Sequence, residues 1–366
     1  MQPMAQRLGI DHQRLQQLVS TSPWPVEPVR KALATKAIDL IEPDAWVIDD
    51  TGFIKDGSAS PGVARQYSGT LGKVGNVQIG VSVHAVTDTA SCPLDWRLFL
   101  PASWDETTTD SAEERALIRQ RRIKALIPAG IGHRPKWELS VEMIDELKAW
   151  GVNPPVVVAD AGYGDNGTFR TALTTRGIDY VVQVKGSTSL HPGDVVFEVP
   201  EYAGFGRPKK PGYRTPPVQA QELAQSLPIA QYHPVSWRQG SKGTMTSRFT
   251  AVRVRPANRN LPRNNDGTLP TCWLLIEWPS AASVPTDYWL STLPEDTPIE
   301  QLVRLGKIRW RIEHDYRELK HGLGLDHFEG RHWLGWHHHT TLVTAAHLFV
   351  TQQRLAATDP KVQVAG

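Results

Sequence analysis

Three short stretches hold side chains whose types and spacing could do chemistry. In VVVADAGYGDNGTFR (156–170), Asp160 is followed by Gly162, Gly164 and Gly167, a literal G-x-G-x-x-G after an apolar run. In VIDDTG (47–52), Asp49 and Asp50 close another apolar run. In RWRIEHDYRELK (309–320), Arg309, Glu313, Tyr316 and Lys320 advance by four, three and four residues. On one continuous helix that spacing makes a single stripe, with a carboxylate between two cations and beside an aromatic ring. Two chemistries compete for the glycine-rich turn. It either cradles a pyrophosphate or holds the Asp160 carboxylate out toward a metal ion. A dinucleotide site also wants an acid about twenty residues on, at the end of the next strand. Here DYVVQVK ends on Lys185, and its one acid, Asp179, stands at its beginning. The carboxylate reading leads, and a dinucleotide-dependent oxidoreductase is the remote alternative.

The elements that must position these residues follow from periodicity. Residues 4–36 read as short helices, either a weak helix-turn-helix or a helical cap. AWVIDD (45–50) reads as a buried strand ending on Asp50, followed by a loop through GFIKDGSASPGVARQYSGTLGKVGN (52–76). VQIGVSVHAVT (77–87) and PLDWRLFLP (93–101) read as strands, 111–127 and 140–151 as helices. PVVVADA, NGTFRTALTTRG and DYVVQVKG continue as strand, helix and strand. The order β-β-β-α-α-β-α-β is an α/β layer architecture, in which strand ends present side chains to a crevice. From 188 to 285 the chain turns Pro- and Gly-rich with short β-like runs, the pattern of a separate β-rich insertion. A helix is then predicted with Thr297 as N-cap, Pro298 at its first position and Glu300 at the third. It stops at the Gly322–Gly324 pair, and a second helix spans 337–356. The expected organisation is 1–40 (helical segment), 41–187 (first part of a core), 188–285 (insertion) and 286–366 (second part and C-terminal helices).

Composition sets the class. The 366 residues are 40% hydrophobic and 21% charged, ordinary for a globular protein that buries a sizeable core. No apolar run approaches the ~18 residues of a membrane span. The N-terminus lacks the pattern of a secretory signal, and Cys92 and Cys272 form no C-x-x-C or disulfide framework. A cytoplasmic, nucleoid-associated protein without a membrane partner is expected. The net charge of +2 hides an asymmetry: residues 204–263 hold eleven basic residues against Glu222, a net +10, leaving −8 elsewhere. That segment suggests a polyanionic partner, with Lys209 and Lys210 in GRPKKPGYR as its best candidates.

VIDDTGF, VVVADAGYG and RWRIEHDYRELK together resemble the three signature blocks of insertion-sequence DDE transposases. More narrowly they resemble the hairpin-forming group named for a Tyr-Arg-Glu-Lys motif. Arg309 lies four residues before Glu313 and Lys320 seven after it, as that motif requires, but Gly306 stands where it has tyrosine. Tyr316 is then the candidate to serve from the following turns. The segment GVARQYSGTLGKVGN, with Arg65 and Lys73, is also similar to the family. The resemblance implies an RNase H-like core interrupted by a β-rich insertion, with Asp50, Asp160 and Glu313 as catalytic metal ligands. It implies two Mg²⁺ ions about 4 Å apart, with Mn²⁺ as a substitute. It also implies double-stranded DNA, both transposon ends and target, as substrate for nicking, hairpin formation and strand transfer by a homodimer. Arg309, Lys320, Tyr316, Arg65, Lys73, Lys209 and Lys210 would contact DNA. Trp289, 24 residues before Glu313, would stack on a flipped base, with Trp273 and Trp278 as rivals. Forty-nine residues precede Asp50, fewer than the family carries, so the N-terminal segment is expected to be a shortened DNA-binding module. Two alternatives remain open: a nuclease of the same fold without strand transfer, and a catalytically silent DNA-binding relative.

Overall fold

The computed structural model describes residues 2–202, 204–205, 210–240, 243–257 and 261–358. Lys209 lies outside them. The chain opens with three helices, α1 (Gln2–Leu8), α2 (His12–Ser20) and α3 (Val26–Ile41). Strands β1 (Ala45–Ile54), β2 (Ala64–Ser68), β3 (Lys73–Val86) and β4 (Ser91–Phe99) follow, then helices α4 (Ala112–Lys124) and α5 (Lys136–Ala149). Next come β5 (Val157–Ala159), α6 (Ala161–Gly164), α7 (Gly167–Thr175) and β6 (Tyr180–Val184). Strands β7 (Ser189–Pro192), β8 (Phe197–Glu198), β9 (Gly212–Tyr213) and β10 (Val218–Gln219) lead to helix α8 (Ala220–Ser226). Strands β11 (His233–Gly240), β12 (Gly243–Pro256), β13 (Cys272–Trp278) and β14 (Asp287–Ser291) complete the β structure. Helices α9 (Ile299–Lys307), α10 (Trp310–Arg317) and α11 (Trp333–Thr358) end the described chain. Among the described residues no helix is long and apolar enough to cross a membrane.

The fold is mixed α/β and divides into two compact units, residues 1–154 with 310–366, and residues 155–309. In the first unit β3 is the central strand, antiparallel to β1, β2 and β4. Residues Val77 to Val86 are all buried, on both faces of the strand, although apolar and polar residues largely alternate along it in sequence. In the second unit a large mixed sheet runs β10-β7-β12-β13-β14-β6-β5, with β11 paired to β12. Among the described residues of this unit, only β5 and β6 pair in parallel, joined by the crossover through α6 and α7. Within 188–285, β8 and β9 form a separate two-stranded sheet, and the other strands are hydrogen-bonded through β13–β14 and β14–β6 into the large sheet.

Three expectations about elements are corrected. Strand β1 does not stop at Asp50 but runs on to Ile54, so both aspartates are mid-strand. Gly52 reads as a strand breaker in the sequence. Here it is the residue that fits, because a Cβ would collide with the Ser68 side chain. The stretch 52–76 is not a loop throughout, since β2 forms inside it and pairs with the start of β3. The helix expected from 298 to 321 is two helices, α9 and α10, broken at residues 308–309, and α10 passes into a π-helical turn at Glu318–Gly322. Pro298 is its N-cap rather than its first residue. Periodicity cannot see this division. α9 buries Leu302, Val303 and Leu305 in the second unit, whereas α10 buries Ile312, Asp315 and Tyr316 in the first.

Candidate active site

Side-chain alternation along β1 separates the two neighbouring aspartates. Asp49 pairs across the strands with Ser82 and Asp50 with Val81, so the two carboxylates leave opposite faces of the first unit's sheet. Other contacts identify those faces. Ser82 Oγ lies 2.8 Å from the Tyr316 hydroxyl, His84 Nδ1 is 2.9 Å from Asp315 Oδ2, and Phe53 meets the Trp336 ring edge-on. The odd residues of β1, Asp49 among them, therefore face α10 and α11. Asp50 faces α5, where Lys136 Nζ stands 3.0 Å from each of its carboxylate oxygens. The family resemblance implies Asp50 as the site carboxylate of this strand. The register instead puts Asp49 on the face that receives the helix of Glu313. Lys136, which the sequence reading missed, neutralises Asp50, and nothing in its local sequence signals a partner 86 positions away.

In the second unit, Asp160 follows β5 and caps α6. Its Oδ1 accepts from the Gly162 N–H at 2.9 Å and the Tyr163 N–H at 3.4 Å. Those amides are spent on the protein's own carboxylate and are not offered to a pyrophosphate. Gly164 is required by close approach, since a Cβ there would run into the Gln183 carbonyl of β6. The buried Arg170 guanidinium donates to the Gly164 carbonyl and clamps the turn from the other side. The glycines thus shape a tight mount for Asp160 between β5 and β6.

Glu313 is exposed on α10, while Tyr316 and Lys320 are buried, so the expected common stripe does not exist. Glu313 and Tyr316, three residues apart in α10, stand about 60° apart around its axis, enough to leave one in solvent and turn the other inward, and the π-helical turn then takes Lys320 off the 3.6-residue period. Lys320 donates to the Gly52 carbonyl at 2.8 Å and lies over the Phe53 ring. Burial pulls its ammonium down to about 8, opposed by the Asp326 charge. An amine turned onto β1 in this way is not presented to a DNA phosphate, nor is the Tyr316 hydroxyl on Ser82. Arg309 sits half-buried in the break after α9.

Trp289 is a central-strand residue of β14 with 4% exposure, leaving no free ring face for a base. Its neighbour is Lys307, whose ammonium lies 4.9 Å from the Trp289 ring and 5.1 Å from that of Trp237 and pairs with Glu277. Trp273 is occupied by the Arg253 guanidinium at 4.9 Å, and Trp278 by Arg248 at 5.6 Å. Much of the basic segment is spent in the same way. Arg214 pairs with Glu198, Arg253 with Glu295, and Arg255 and Arg263 donate to backbone carbonyls. Its charge excess is therefore a weaker sign of a polyanion than the sequence suggested. Lys210, Arg65 and Lys73 are exposed, the last two on the β2–β3 hairpin.

Asp49, Asp160 and Glu313 offer carboxylate oxygens only, the donor type that hard divalent cations prefer. Among the described residues no three His, Cys, Asp or Glu side chains are gathered to hold a metal ion. The sequence model of the DDE superfamily endonucleases matches residues 1–244. The chain belongs to the DDE superfamily endonucleases. Endonucleases of this superfamily are in general divalent-metal dependent, which agrees with the oxygen donors found here. A probable transposase for insertion sequence element IS701 from Microchaete diplosiphon is 29% identical over 188 residues. That match covers 50% of this chain and 44% of the relative, so the shared part spans less than half of that protein.

Proposed function

We propose that this DDE superfamily endonuclease is a transposase that cuts transposon ends and joins them to target DNA, with Asp49, Asp160 and Glu313 as its carboxylates on an RNase H-like core. The observation that carries the choice of residues is the β1–β3 register, which turns Asp49 toward α10. Asp50, first expected in this role, is held by Lys136 on the other face. When bound, two divalent cations, Mg²⁺ or Mn²⁺, supply activation of the attacking water or DNA 3′-hydroxyl and stabilisation of the leaving oxygen. Asp160 brings a carboxylate with one oxygen already fixed by backbone amides, so little side-chain freedom is lost on ligation. Glu313 supplies an exposed carboxylate from a helix anchored to β3. Asp49 and Glu313 belong to one unit and Asp160 to the other. Arg65 and Lys73 on the β2–β3 hairpin, with Lys210, are the exposed cations proposed to meet DNA phosphates. The steps would be nick, hairpin, hairpin opening and strand transfer, carried out by a homodimer that holds two ends.

The test is a cleavage and joining assay on double-stranded DNA with Mg²⁺ or Mn²⁺, comparing the wild type with Asp49→Asn, Asp160→Asn and Glu313→Gln. Loss of cleavage in all three supports the assignment. Cleavage without joined product would reduce the function to an endonuclease. Cleavage surviving in Asp160→Asn or Glu313→Gln would remove the three-acid site.

A further inference from the structure

Behind Glu313 lies a chain of buried polar side chains that the reaction itself does not use. Ser82 and His84 point from β3, Ser91 from β4, and Asp315 and Tyr316 from α10; all five are buried. His84 Nδ1 is 2.9 Å from Asp315 Oδ2, and His84 Nε2 is 3.0 Å from Ser82 Oγ. Ser82 Oγ is 2.8 Å from the Tyr316 hydroxyl, and Ser91 Oγ donates to Asp315 Oδ1 at 2.6 Å. The proton directions follow from the donors available. A carboxylate only accepts, so His84 donates through Nδ1. The neutral ring then accepts at Nε2 from the Ser82 hydroxyl, and the Ser82 oxygen accepts from Tyr316. Every member is satisfied in this one ordering.

We propose that this chain, with His84 at its centre, is the positioning device for Glu313; the inference rests on reading Glu313 as a metal ligand. Two features of α10 call for such a device. The helix has eight residues, bounded by a break at 308–309 and by the π-helical turn, and is too short to hold its own course. Its buried residues are Ile312, Asp315 and Tyr316, so two of three anchors are polar. Apolar packing is non-directional and would tolerate rotation about the helix axis. Hydrogen bonds at Asp315 and Tyr316, two and three residues beyond Glu313, do not. One residue of rotation is about 100° and would turn the Glu313 carboxylate out of the direction this docking gives it. His84 and Ser82 sit on β3 directly beside β1, with Ser82 opposite Asp49. The same strand therefore references both carboxylates. His84, Ser82, Ser91, Asp315 and Tyr316 are positioning residues that touch neither metal nor DNA.

The experiment is Mn²⁺ binding to the full chain without DNA, followed by electron paramagnetic resonance, together with cleavage as a function of Mn²⁺. His84→Ala is expected to weaken Mn²⁺ binding about ten- to hundredfold. Its circular dichroism should be retained, and cleavage should recover at high Mn²⁺, so that the metal requirement rises while the maximal rate stays near wild type. His84→Asn, whose amide can donate in place of Nδ1, is expected to restore part of the affinity. Ser82→Ala and Tyr316→Phe each remove one hydroxyl and should show the same change to a smaller degree, and they carry the test if His84→Ala does not fold. Folded variants that bind Mn²⁺ like the wild type, beside a Glu313→Gln control that does not, overturn the positioning role alone. A Glu313→Gln protein with undiminished Mn²⁺ binding removes Glu313 as a ligand and this inference with it.

Discussion

Asp49 and Asp50 stand side by side on β1 and leave opposite faces of one sheet, where different partners decide what each can do. Asp50 meets the ammonium of Lys136, an intimate pair whose side chains are 23% and 31% exposed. Asp49 turns to the face on which α10 and α11 are held by Ser82, His84 and Phe53. One carboxylate is matched by a fixed cation from the protein. The other is buried and faces the helix that bears the exposed carboxylate of Glu313. The lesson is that a D-D pair in a strand cannot be read as one feature, because a shift of one residue changes the face and with it the whole set of neighbours.

The comparison can be broken most directly by substitution. Asp49→Asn is expected to lower the DNA cleavage rate by more than about a hundredfold, and Asp50→Asn by less than about tenfold. The reverse order would return Asp50 to the site and retire the face assignment. The third acid provides a contrast, since its placement depends on backbone contact rather than on sheet face. Gly164→Ala drives a methyl into the Gln183 carbonyl and should cost about 1–3 kcal/mol in urea denaturation while impairing cleavage. Full stability in that variant would show the turn to be more yielding than the geometry implies.

Acid sharpens the same contrast by loading the α10–α11 side of the sheet. Burial holds His84, His337 and His339 below the ordinary histidine value. The unfolded chain takes up those protons more readily than the folded one, so stability is unaffected above about pH 6.5 and falls as pH drops below it. Asp315 differs. Burial pushes its carboxyl up, but the bond and charge of His84, the His347 charge and the Ser91 bond outweigh that, and the net shift is downward. Its contribution is present above the ordinary carboxylate range and is lost only as pH falls through its own lower value. The melting temperature, followed from pH 8 to pH 5, should therefore begin to fall near pH 6.5, before carboxylates protonate. A flat profile over that range would mean that the imidazoles ionise inside the fold. The smallest effect belongs to Lys136. Its pair with Asp50 is partly exposed, so Lys136→Met should lower stability by no more than about 1 kcal/mol, and an Asp50→Asn/Lys136→Met cycle should return a coupling of that size.

The element order from β1 through β6 was largely legible because apolar runs and turn residues mark it locally. So was the mount of Asp160, whose capping bonds reach only two and three residues along the chain. Pairing partners were not legible. β2 is short and partly exposed, and Gly52 imitates a breaker because the Ser68 side chain that requires a glycine comes from another strand. The stripe of Arg309, Glu313, Tyr316 and Lys320 failed for a related reason. It assumed one helix, while the segment serves two units and ends in a π-helical turn.

By itself, the sequence determined the family blocks, the alternation of strands and helices, and the three kinds of carboxylate, because these depend on residues close together along the chain. The tertiary structure decided which carboxylates and cations are available. Lys320, Tyr316 and Trp289 are buried, Asp50 is matched by Lys136, and Asp49 faces α10. The physical reason is distance along the chain. The bonds that bring α10 onto β3 join residues 231 and 234 positions apart, and the face on which that helix docks is set by packing that no local pattern encodes.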